Sequence, residues 1–159
     1  MTASATARRS ALTDPIDRPT VLQRILRTWL GVTLAFAGVS HLTSQREAFQ
    51  AQVPAWVPVG EDLVVVVSGV VEVTLGLALV ALLVPSLSRW RAVVGLVVAM
   101  FFVVIFPGNV GQWLEGKAAF GLDTDAQRVA RLFFQPVLVV WALWSTGAWS
   151  ALVDWRRRR

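Results

Sequence analysis

The chain has 159 residues, a mean hydropathy of +0.60, 55% hydrophobic residues and a formal net charge of +5. That is too apolar for one water-soluble domain, so the sequence pI near 11.4 is read as a membrane-topology signal and not as a nucleic-acid interface. With no cysteine, the chain forms no disulfide, iron–sulfur site or thiol relay of its own.

Residues 1–20, MTASATARRSALTDPIDRPT, are small, polar and proline-containing and predict a disordered cytoplasmic tail. The Arg8-Arg9 pair does not open a cleaved signal, because Asp14, Pro15 and Asp17 precede the first apolar stretch. Residues 21–155 form the membrane domain, an all-α integral membrane four-helix bundle with spans at about 22–42, 62–87, 90–113 and 125–155. Each approaches or exceeds the ~20 residues that a helix needs to cross the hydrocarbon, and no alternating barrel strands are seen.

In the first span, Arg24 and Arg27 snorkel from the helix end. Gly31, Ala35, Gly38 and His41 lie on one face, so the only histidine closes a small-residue stripe. The following loop, TSQREAFQAQVPAWVPVGED, predicts a short surface helix, then an extended piece between Pro54 and Pro58 with Trp56 at headgroup depth.

The second span carries Glu72 at its centre. Fifteen Leu and Val residues between 63 and 84 each favour insertion by about 0.3–0.6 kcal/mol, against about 3 kcal/mol for one central charge. Insertion is secure, provided that the carboxyl faces protein or water. Ser68, Glu72 and Gly76 are spaced by four, with Gly69 beside them, and this small-residue line invites close approach of a neighbour.

The tight turn PSLSRWR leads to the third span, where Gly95, Ala99, Phe102, Phe106 and Asn109 share a face. Thr124 and Gln127 form a capping box that opens the fourth span, which carries Arg128, Arg131, Gln135 and Ala142 on one face. From the cap to Trp155 that helix would be about 48 Å long, so it is expected to begin above the bilayer. Pro107 and Gly108 in FPGN, and Pro136 after Gln135, are expected helix breaks; Pro136 frees the carbonyl of Leu132, and such breaks line polar cavities. Residues 156–159 are a basic tail suited to anionic lipid.

Orientation follows the arginines. Eleven of the fifteen Lys/Arg (Arg8, Arg9, Arg18, Arg24, Arg27, Arg89, Arg91 and Arg156–Arg159) flank one side, which places both termini in the cytoplasm. Glu72, His41, Asn109, Arg131 and Gln135 are then expected to converge in one outward-opening polar cavity. A lone histidine with one glutamate falls short of a metal site or of haem ligation, so neither is expected. For Glu72 two readings stand: a hydrogen bond that pins the second span against the fourth and fixes register, or a proton-accepting or ligand-binding carboxyl.

Together SGVVE in the second span, FPGN in the third, the histidine that closes the first, the VPAWVP loop and RLFFQP in the fourth make the chain resemble the DoxX-like family of small membrane proteins, from about Leu26 to Trp149. The His41-Leu42 pair departs from the expected His-Phe. The resemblance implies a four-helix bundle of the bacterial inner membrane and a link to quinone or sulfur-compound redox.

The leading functional expectation is an accessory subunit, not a stand-alone enzyme, which binds a quinone or similar carbonyl compound and passes electrons through a redox partner protein. A small-molecule permease and a scaffold that recruits a partner are the alternatives. A permease of four helices without an internal repeat would need to form a homo-oligomer. Glu72→Gln separates the classes: it should abolish ligand binding in the first, while in the scaffold it should cost stability or nothing.

Overall fold

The computed structural model describes residues 18–50, 52–118 and 124–157. These fold into α1 (Val21–Leu42), α2 (Arg46–Gln50), α3 (Glu61–Ala81), a 3-10 helix (Pro85–Trp90), α4 (Arg91–Leu114), α5 (Asp125–Thr146) and α6 (Ala148–Arg157). No strand occurs among the described residues, and the expected all-α architecture is the one observed. The expected tail at 1–20 lies almost wholly outside the described residues, as do the last two arginines of 156–159.

Local chemistry explains the boundaries. Thr20 caps α1, its hydroxyl accepting from the Gln23 N–H at 3.2 Å while the Gln23 side chain accepts from the Thr20 N–H. Glu61 and Asp62 stand in the first turn of α3, where negative charge suits the helix dipole. The predicted second span, 62–87, stops earlier, at Ala81. Pro85 has no N–H to continue the ladder and disfavours a helical backbone before it, so the chain turns into the 3-10 segment. Thr124 and Gln127 form the expected capping box.

The expected single helix over 125–155 is instead two. Gly147 takes a left-handed conformation (φ 75°), ending α5 and letting α6 leave in a new direction. The break falls in the small, polar run Ser145-Thr146-Gly147, where the apolar stretch of α5 has already ended.

The helices pack as two pairs, α1 with α3 and α4 with α5, joined chiefly by α1 against α5; α3 and α4 touch comparatively little. In the first pair, glycines face each other across the contact. A Cβ on Gly76 would lie 2.5 Å from the Gly31 carbonyl and 2.5 Å from the Ala35 nitrogen, and one on Gly38 would lie 2.6 Å from the Gly69 carbonyl. No larger residue fits there, and dispersion between closely approached backbones holds the pair. In the second pair, Gly95 leaves room for Thr146, whose hydroxyl a Cβ at 95 would overlap.

A compact core of Leu30, Leu34, Leu79, Val98, Ala99, Phe102 and Ala142 fills the centre. Large apolar side chains cover the outside, Phe36 at 73% exposure and Phe133 at 74% among them. Together with four helices long and apolar enough to cross a bilayer, that outward surface identifies a multi-pass membrane protein.

Candidate functional site

The small-residue stripe that brings α1 against α3 also brings His41 to Glu72. The imidazole Nδ1 lies 3.2 Å from the Glu72 Oε2, with side-chain exposures of 7% and 6%. The approach is off the line of a well-aligned hydrogen bond, and neither atom has another partner. A proton on either group is what would join them. Gly69 makes this possible, because a Cβ at that position would lie 2.8 Å from the His41 Cβ.

A second polar pair joins α4 and α5. Asn109 donates its amide to the Gln135 carbonyl oxygen at 2.9 Å, and Gln135 donates to the Phe102 carbonyl at 2.7 Å. Phe102 precedes Val103, whose helical donor position is occupied by Pro107. The carbonyl that the amide meets is thus the neighbour of the one that Pro107 leaves without its helical donor. Pro107 and Pro136 were expected as breaks, yet α4 and α5 run through both. Gln135 tethers α5 to α4 one residue before the carbonyl that Pro107 frees, and both prolines are accommodated within continuous helices.

Arg131 stands between the two pairs. Oriented with its oxygen inward, the Gln52 amide accepts from both terminal guanidinium nitrogens at 2.7 Å. The guanidinium also acts through space on both Glu72 and His41. Gln52 went unnoticed in the sequence, because it lies past the short surface helix in a loop whose path no periodicity reports.

The five expected residues do not line one common cavity. A cavity of about 460 Å³ lies between the N-terminal half of α3 and the C-terminal half of α4, beneath α2 and the 52–59 loop. Of the five, only His41 lines it, with the helix-break residues Pro107 and Gly108. The rest of its wall is largely valine, leucine and proline, with Ser68 and Gln52 as the polar exceptions. The weak α3–α4 contact is where the cavity opens: Val67 and Val104 line it and are 53% and 66% exposed, on the outward apolar surface. The mouth therefore faces hydrocarbon. Glu72 stands behind His41, one residue removed from the cavity.

α2 and the 52–59 loop form a lid over the cavity, held at three places. Arg46 on α2 holds Asp62 at the start of α3 through two bonds of 2.6 Å, with Gln50 adding a third at 3.0 Å. The hydrogen bonds and charge of Asp62 raise Arg46 still further above the usual arginine range. Phe49 meets the His41 ring edge-on, at an interplanar angle of 77°. On the other side the loop rests on α4, where a Cβ at Gly108 would lie 3.0 Å from the Gln52 carbonyl and one at Gly111 would lie 3.2 Å from Pro54.

Residues 30–146 match the family model described as a domain of unknown function, DUF8561. The chain belongs to that family. The DUF8561 region takes in His41, Glu72, both polar pairs, the lid and the cavity, and it leaves out the start of α1 and the whole of α6. No curated protein and no solved structure gives a significant match. Among the described residues, no cluster of three or more His, Cys, Asp or Glu side chains is placed to hold a metal ion.

Proposed function

We propose that this chain is a DoxX-like subunit of the bacterial inner membrane that takes a quinone, or a similarly lipophilic carbonyl compound, from the bilayer into the cavity between α3 and α4. The observation that carries this reading is an apolar cavity with a bilayer-facing mouth and one imidazole in its wall, backed by a buried carboxyl. Its volume of about 460 Å³ is in the range of small-molecule sites, which are mostly apolar with a few placed polar groups. A quinone fits that wall: valines and prolines suit a ring and an isoprenoid tail, and His41 suits a carbonyl oxygen.

A bound quinone supplies a carrier of two electrons and two protons. His41 donates a hydrogen bond to the carbonyl oxygen. Glu72, 3.2 Å behind the Nδ1, exchanges a proton with the ring, so that a proton passed forward by the imidazole is replaced from behind. Arg131, tied to Gln52, offsets negative charge on Glu72 and couples the lid to the dyad. Electrons come from a redox partner protein. Both termini face the cytoplasm in this reading, because the basic residues Arg24, Arg27, Arg89, Arg91, Arg156 and Arg157 all stand at one end of the bundle.

The test is mass spectrometry of the protein gently extracted from its own membrane. Quinone retained by the wild type and lost in Glu72→Gln, with the bundle still folded, supports the reading. A co-purified protein with no small molecule would replace it with the scaffold reading.

A further inference from the structure

The other end of the bundle holds charge that the cavity does not use. Arg27, on the second turn of α1, does not reach out of the bundle as expected but is only 1% exposed, turned inward to the end of α3. Its Nη2 donates to the Leu82 carbonyl at 3.2 Å, at the C-terminal cap of α3. Its Nε and Nη1 are buried with no hydrogen-bond partner, and no acidic side chain lies within ion-pair distance among the described residues. Capping the α3 terminus accounts for one donor of a guanidinium that carries five. Leaving the others unmet in a buried position costs far more than that one bond returns.

Two more arginines share the corner. Arg91, the first residue of α4, is 4% exposed and donates from its Nε to the Ser88 carbonyl at 3.2 Å. Arg24 is exposed, one turn before Arg27 on the same helix. The three guanidinium groups act on one another by charge repulsion. Like charges drawn together, one of them with empty donors, call for an anion from outside the chain. The corner sits at the ends of three membrane helices, the depth at which headgroup phosphates lie, and arginine matches a phosphate with paired N–H donors.

We propose that Arg24, Arg27 and Arg91 form a phosphate-oxyanion site at the basic end of the bundle, occupied by the headgroup of an anionic phospholipid or by free phosphate. Arg24 receives the phosphate at the surface, and Arg27 and Arg91 hold it from behind, where α1, the end of α3 and the start of α4 meet. The site is separate from the α3–α4 cavity and does not depend on what the cavity binds. It also differs from the Arg156–Arg157 end of α6, which lies on a different element.

Native mass spectrometry of the full chain, with phosphatidylglycerol or phosphatidylcholine titrated into detergent, tests it. The wild type should retain phosphatidylglycerol in clear preference to phosphatidylcholine. At about 1 kcal/mol per arginine, Arg27→Gln should lower that preference about fivefold. Where Arg27→Gln fails to assemble, Arg24→Gln, with its exposed side chain, serves in its place and should lower the preference by a similar factor. In phosphatidylcholine nanodiscs, stabilisation by millimolar inorganic phosphate that disappears in Arg24→Gln would assign the site to a soluble oxyanion. No headgroup preference together with no phosphate effect overturns the proposal, as does a preference that both variants leave intact.

Discussion

α3 has two flanks, and they are built on opposite principles. Against α1 the backbones meet through Gly31, Gly38, Gly69 and Gly76 with no space for a single methyl group. Toward α4 the same helix stands off, and a cavity of about 460 Å³ separates valines that would otherwise interlock. In a bilayer, where lipid tails are as apolar as the side chains, only close packing or hydrogen bonding holds helices together. The first flank is fastened by packing. The second is left loose, and its gap is the cavity to which the proposed function assigns the ligand. His41 and Glu72 belong to the fastened flank yet reach the loose one, so a rigid seam positions the polar group that the cavity presents.

Substitutions can set the two flanks against each other. The largest effect is expected for Gly76→Val, whose side chain must enter space already held by the Gly31 carbonyl and Ala35; about 3 kcal/mol or more of stability should be lost in a reversible unfolding assay. A cost below 1 kcal/mol would show that the seam is not tight. Gly95→Ala tests the α4–α5 pair in the same way and should cost about 1–3 kcal/mol, because its Cβ overlaps the Thr146 hydroxyl. Adding Thr146→Ala should return about 1 kcal/mol of that loss in a double-mutant cycle.

Glu72→Gln keeps the shape of the seam. It should change stability by only about 0.6 kcal/mol, the usual size of a polar contact between membrane helices, while quinone retention falls. A collapse of the fold with no prior change in ligand retention would make Glu72 a fastener and nothing more. Val67→Trp, on the loose flank, should alter stability by less than about 0.5 kcal/mol, yet fill the mouth and reduce ligand retention about tenfold. Smallest of all is Arg46→Gln, which frees the exposed lid from Asp62. Amide exchange over residues 46–50 should quicken, with the spans unaffected.

The fastened flank was legible in the sequence. Gly31, Ala35, Gly38 and His41 on one helix and Ser68, Gly69, Glu72 and Gly76 on the next are spaced for a helix face, and a face of small residues has one common use in a membrane. The pairing of His41 with Glu72 was not read from them: Glu72 was expected to fasten the second span to the fourth, and the structure sets it against His41 of the first. The loose flank was not legible, for a physical reason: Val67 and Val104 against lipid and the same valines around a cavity have identical composition and periodicity. Polar residues were the visible signal of a cavity, yet four of the five stand behind its wall or between α4 and α5. Gln52 was hidden by its loop, whereas the end of α5 was marked in the sequence by Ser145-Thr146-Gly147, which the single-helix expectation over 125–155 passed over.

The position of the cavity mouth has a consequence for how affinity is measured. An opening between Val67 and Val104 samples a two-dimensional solvent, so occupancy follows the number of ligand molecules per lipid and not the number per litre of buffer. Doubling the lipid or detergent at fixed total ligand should dilute the site, even though the aqueous volume is unchanged. On the proposed function, a dissociation constant for this protein would be a mole fraction. A weak interaction by that scale still fills the site when the ligand is a standing component of the membrane.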